Sequence, residues 1–109
     1  MGEDLMVRKS KESRDECTLK ISGYLDYSSM EPFIQGVRSI EEGTKKVTIN
    51  FSELEFIDST GIGAIINLAH KANDKQFEVE LVGMNPEVRE VFDTIGVFEI
   101  MASLQKEGM

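Results

Sequence analysis

A chain of 109 residues, 40% of them apolar, is one domain of ordinary size with side chains enough for a modest core. Twenty acidic residues against 12 basic ones leave a net charge of −8, which repels a phosphate backbone and argues against direct nucleic-acid binding. The same balance suits a partner with a basic docking face, although surface acid also serves solubility alone. No apolar run is long enough to span a bilayer. The opening Met1-Gly2-Glu3-Asp4 is acidic where a signal peptide is basic, and Met6 stands where a myristoylation site carries Ser or Thr. The expectation is a cytoplasmic protein without membrane insertion. The single cysteine, Cys17, alternates with Leu19 and Ile21 and reads as a small buried apolar residue in a reducing compartment.

Residues 5–8 read as a first short strand, residues 9–16 as a charged turn, and residues 17–22 as a second strand with strict alternation. A loop over residues 23–27 leads to a helix that opens at Ser28 or Ser29. Glu31, three residues after Ser28, suggests a capping box, with Pro32 just inside. Phe33, Ile34, Val37 and Ile40 mark this helix's buried face, and Gly43 its end. A third strand covers residues 45–51, followed by a link through Leu54 and Phe56. From Ile62 the period changes: Ile62, Ile65, Ile66 and Ala69 fall at i, i+3, i+4 and i+7, the apolar face of a helix. Ser59 stands at the junction, where an N-cap belongs, and Gly61 and Gly63 leave the first turn open to close approach by another molecule.

Phe77, Val79 and Leu81 alternate as a fourth strand. Asn85 is the expected N-cap of a third helix, with Pro86 at its first position, a stripe of Val88, Val91, Phe92 and Ile95, and Gly96 just past its end. Residues 97–101 read as a short last strand and residues 103–109 as a polar tail. The six methionines form no stripe and read as filler. Strands alternating with helices predict a mainly parallel sheet with right-handed crossovers. The first two strands, joined by a short turn, pair antiparallel. The expected fold is a single α/β domain: a mixed sheet of four or five strands with amphipathic helices, its core spanning about residues 5–102.

The candidate chemistry centres on Asp58-Ser59-Thr60-Gly61. A serine nucleophile needs a base within hydrogen-bond reach. The only histidine, His70, lies eleven residues along the same helix, roughly 16 Å away. Asp58 without a third, orienting group is a poor base. One His and one Cys cannot build a zinc cage. Asp26 and Asp58 can approach each other at the C-terminal edge of the sheet, as a magnesium site would need. The second acid and the late lysine of a phospho-aspartate receiver site, however, are missing from matching strand ends. Asp26 reads instead as tying its own loop down through backbone N–H groups. No catalytic residue, metal or cofactor is expected.

The stretch Phe56-Ile57-Asp58-Ser59-Thr60-Gly61-Ile62-Gly63 resembles the signature of STAS domains, the family of bacterial anti-sigma-factor antagonists. Ile21-Ser22-Gly23-Tyr24-Leu25-Asp26 resembles that family's first motif, a strand ending in Gly-x-Leu-Asp, and the likeness runs over about residues 5–102. The resemblance implies a phosphorylation switch. Its acceptor is Ser59, with Thr60 the less favoured hydroxyl, and the donor is a partner that is both anti-sigma factor and serine kinase. A serine phosphatase resets the cycle, and ATP belongs to the partner. Asp26, Ser28, Asp58, Thr60, Gly61, Ile62 and Gly63 would frame the docking surface. Apart from the resemblance, a monomer is expected, because docking the three helices leaves no large apolar stripe over. A scaffold subunit of a membrane lipid transporter, or part of a stress-sensing assembly, is the rival reading, and a small enzyme the remote one. Residues 1–4 and 103–109 have little to match, and the terminal helix that relatives often carry has room here only to be short.

Overall fold

The computed structural model describes residues 5–107, with side chains through Leu104. Residues 1–4 and the last two, Met1 and Met109 among them, lie outside the described residues. The elements are β1 (Leu5–Ser13), β2 (Glu16–Leu25), α1 (Glu31–Arg38), β3 (Lys46–Ile57), α2 (Ser59–Lys75), β4 (Glu78–Val82), α3 (Pro86–Ile95) and α4 (Val97–Glu107). The four strands form one sheet in the order β1-β2-β3-β4. β1 and β2 pair antiparallel, while β2, β3 and β4 run parallel, as the helical crossovers between them require.

The period-2 pattern selects which face the helices cover. Cys17, Val47 and Val79 lie side by side across three strands, as do Leu19, Ile49 and Leu81 in the next row, and nearly all are buried. Burial pushes the Cys17 thiol above its ordinary range, so it stays a neutral packing group. The alternate row, Thr18 with Thr48 and Lys20 with Asn50, turns the other way and carries exposed ion pairs such as Lys46–Glu80 at 2.9 Å. Phe92 of α3 meets Phe51 of β3 edge-on, 5.6 Å between centroids, and fixes that helix to the sheet. Of the expected α3 stripe only Val88 and Phe92 are buried; Val91 and Ile95 stand exposed. Asn85 caps α3, accepting from Val88 N at 2.8 Å, and Gly96 ends it at φ 83°, both as the sequence predicts.

Five expectations about the elements change. β3 does not end at residue 51. Its buried residues are Val47, Ile49, Phe51, Leu54 and Ile57, so the spacing goes from two to three. Against β2 the register slips once between Lys20 and Ser22 and again between Gly23 and Tyr24, each slip adding a residue to β3. These two bulges turn Leu54 and Ile57 back inward and carry the strand to the motif. β1 continues through the predicted charged turn because an edge strand needs no apolar outer half. There Lys9 Nζ donates to Ser39 O at 2.7 Å and Lys11 pairs with Glu41 at 3.0 Å.

α1 stops at Arg38, far short of Gly43, with Ser39 N bonded to Gln35 O and Gly36 O. Residues 97–101 are helical, and the predicted tail is helical through residue 107. Val97, Met101 and Leu104, at i, i+4 and i+7, face inward, and Phe98 contacts Phe92 at 5.9 Å. Among the described residues the sheet therefore has four strands and no fifth. The terminal helix, expected to be short, has 11 residues.

Candidate functional site

β2 and β3 are parallel neighbours with Leu25 opposite Ile57, so the aspartates that follow them emerge side by side at one edge of the sheet. Asp58 N donates to Leu25 O at 3.3 Å. The Asp58 carboxylate then works in two directions. Oδ1 accepts from Gly61 N at 2.9 Å, and Oδ2 accepts from Tyr27 N at 3.3 Å. Its backbone is extended, with φ −110° and ψ −175°, as an N-cap needs. Asp58, and not Ser59 as the sequence reading has it, is therefore the cap of α2. A carboxylate placed one residue earlier reaches the third helical N–H and shifts Ser59 to the first helical position.

Ser59 and Thr60 are both exposed, and among the described residues neither hydroxyl has a hydrogen-bond partner. Exposure alone does not separate them. His70 is exposed on α2, away from this end. Asp26 closes its loop on itself. Its Oδ1 accepts from Ser28 N at 3.1 Å, Ser28 Oγ at 2.9 Å and Ser29 Oγ at 2.9 Å, and the Ser29 hydroxyl also lies 2.6 Å from Tyr24 O. Ser29 first, then Ser28, hold the Asp26 carboxyl below its ordinary range, because hydrogen bonds favour the charged form. With both serines engaged there, neither caps α1. Met30 takes the N-cap position without a side-chain bond, and the expected capping box does not form.

The motif glycines serve different ends. Gly61 is buried, and a Cβ there would overlap the Leu25 carbonyl oxygen and lie 2.8 Å from Ile57 Cγ1. Its bare Cα lets α2 start against the end of β2, so the close approach is internal and not one offered to a partner. Among the described residues Gly63 has nothing within 4 Å of such a Cβ and does leave open surface. Ile62 is 3% exposed and supports this surface from beneath. The sequence reading missed the aromatic groups beside the motif. Tyr27 is 79% exposed and Phe56 46%, and the Phe56 ring lies 5.9 Å from Tyr24. Phe56 was legible as an apolar residue in the motif, but its outward direction depends on the β3 bulges. Among the described residues no group of three or more His, Cys, Asp or Glu could hold a metal ion, and no helix is long and apolar enough to cross a membrane.

The STAS domain family model matches residues 8–107. An anti-sigma F factor antagonist of Paenibacillus polymyxa is 28% identical over 91 residues, covering 82% of this chain and 78% of that protein. The anti-sigma factor antagonist SpoIIAA in its unphosphorylated form has a TM-score of 0.71 at 24% identity, over 83% of this chain and 80% of that one. The Bacillus protein SpoIIAA in its phosphorylated form has a TM-score of 0.68 at 20% identity, over 85% and 86%. Murine Solute Carrier 26 family member A9, an anion transporter, has a TM-score of 0.69 at 17% identity, over 89% of this chain but 19% of the transporter. Likeness at these identities establishes the fold, which a regulator and a transporter segment share.

Proposed function

The chain belongs to the STAS domain family, and from that membership we propose that it is an anti-sigma-factor antagonist, a binding module switched by phosphorylation of Ser59 and not an enzyme. The observation that carries this reading is the division of labour at the start of α2. Asp58 makes the cap bond to Gly61 N, while the Ser59 hydroxyl is exposed and unbonded. A phosphoryl group can therefore come and go at Ser59 without breaking the bond that holds the helix start. The names of the relatives support the reading, as does the pair of SpoIIAA structures in both phosphorylation states.

The partner is an anti-sigma factor with serine-kinase activity, and the protein meets it as a cytoplasmic monomer. Ser59 Oγ attacks the γ-phosphorus of ATP bound to that partner, the bond to ADP breaks, and the hydroxyl proton passes to the kinase's base. About −1.5 to −2 charges are added at one spot. Within the free protein the positive end of α2 tolerates them. At the interface they must be desolvated or meet the partner's own acidic groups, and a penalty of ~2.7 kcal/mol lowers affinity about a hundredfold. A serine phosphatase restores binding. The Asp26–Ser28 loop, Asp58, Thr60 and the open surface at Gly63 surround the acceptor as contact groups, with Gly61 and Ile62 beneath them.

Incubation with ATP and the cognate kinase should add one phosphate, placed on Ser59 by mass spectrometry. Thr60→Ala should still be labelled. Ser59→Ala should lose labelling and keep the kinase complex, whereas Ser59→Asp should weaken it. Full labelling of Ser59→Ala would move the acceptor elsewhere. A wild-type chain that is never labelled and co-purifies with a membrane transporter would replace this reading with the scaffold one.

A further inference from the structure

A groove between α1 and α2 encloses about 260 Å³. Its floor is Phe33 and Leu68, each 2% exposed, and its walls include Met30, Val37 and Ala64, half-buried side chains packed against the core. Both helices belong to crossovers between the parallel strands β2, β3 and β4, so they run in the same direction. Arg38 and Lys71 accordingly share one end of the groove, and Met30 and Ala64 the other. The two cations also line an adjoining cavity of about 440 Å³, together with Lys75.

In a chain of net charge −8 this is a local excess of positive charge. Among the described residues neither the Arg38 nor the Lys71 side chain has an ion-pair partner or a hydrogen bond. Glu41 and Glu42 border the second cavity, but Glu41 is paired with Lys11 at 3.0 Å. Lys9 Nζ, bonded to Ser39 O at 2.7 Å, offsets the negative end of α1.

We propose that this groove binds a free medium-chain carboxylate, its chain along Phe33 and Leu68 and its head group against Arg38 and Lys71. Length sets the class. From Met30 to Arg38 the helix rises about 12 Å at 1.5 Å per residue. An extended chain advances about 1.2 Å per bond, so the groove takes about eight to ten carbons. A partner helix, about 10 Å across with its side chains, does not enter so small a trough, whereas an acyl chain does. Charge complementarity selects the anion over an alcohol. The inference is independent of the Ser59 switch.

Decanoate, titrated below its micelle concentration into the full ¹⁵N-labelled chain, tests it. Saturable shifts are expected at the amides of Met30, Val37, Ala64 and Leu68, and none at Thr18 or Thr48 on the opposite face. From hexanoate upward, each methylene should tighten binding about two- to fourfold, levelling off near ten carbons. Decanol should bind about tenfold more weakly than decanoate. Arg38→Glu with Lys71→Glu should lower affinity tenfold or more at an unchanged melting temperature. Arg38→Gln should act in the same direction, and Lys45→Gln, at the exposed residue just before β3, should change nothing. Absence of saturation, equal binding of decanol, or indifference to both charge substitutions overturns the proposal. So do shifts on this face that appear only with anionic phosphatidylglycerol vesicles or an acidic amphipathic peptide.

Discussion

Asp26 and Asp58 leave neighbouring strands at the same edge of the sheet and do different work. Asp26 satisfies itself within three residues, through Ser28 and Ser29, and its loop is a closed local unit. Asp58 spans elements, joining the start of α2 through Gly61 N to the β2–α1 loop through Tyr27 N, 31 residues away in sequence. The glycines repeat the contrast two positions apart, Gly61 pressed against β2 and Gly63 facing open space. The region that holds the two motifs together is thus one carboxylate and one missing side chain. The groups left over, Ser59, Thr60 and Gly63, are free to face outward. Under the proposed switch, a phosphoryl group at Ser59 would act on binding while the Asp58 cap bond and the Gly61 packing stay intact.

The largest effect expected from breaking this contrast is at Gly61. Gly61→Ala forces a methyl into the Leu25 carbonyl and should destabilise by about 3 kcal/mol, read from the denaturant midpoint at unchanged slope. Asp58→Ala comes next. Losing the cap and the Tyr27 bond should remove about 1–2 kcal/mol, and Asp58→Asn, which keeps the Oδ1 acceptor, should recover most of it. An equal loss in both variants would show that charge, not the cap bond, holds the junction.

Gly63→Ala should go the other way. With nothing near its Cβ it should gain about 0.5–1 kcal/mol from helix propensity while weakening the partner complex, since the methyl occupies the open surface. A stability gain with undiminished binding would remove Gly63 from the contact surface.

The smallest effect is at Asp26. Its carboxyl is held below the ordinary value of 3.8, chiefly by the Ser29 hydroxyl, so its contribution is present above that value. It is lost as pH falls through the lower folded one. Wild type should therefore be more stable than Asp26→Asn at neutral pH, and the gap should close on acidification below about pH 4. A gap that persists to pH 2 would assign Asp26 a role other than a charged acceptor.

The chain order of strands and helices through α3, the antiparallel first pair, the Asn85 and Gly96 signals and the Cys17 packing role follow from the sequence. Each rests on a short-range period or a residue's own backbone preference, and the motif residues led to the family in the same way. Tertiary structure decided the rest. Whether β3 ends at Phe51 or runs on to Ile57 depends on bulges that exist only because β2 lies beside it. Whether residues 97–101 extend or coil was settled by Phe92 and the core beneath Val97 and Met101, since a five-residue apolar run suits either state. Whether Ser28, Ser29 or Ser59 caps a helix was settled by which carboxylate reached the available donors first. Asp26 took both loop serines, and Asp58 took the N–H that Ser59 was expected to hold. Local preference names the candidates for each bond, and only the folded chain places one within 3 Å of its partner.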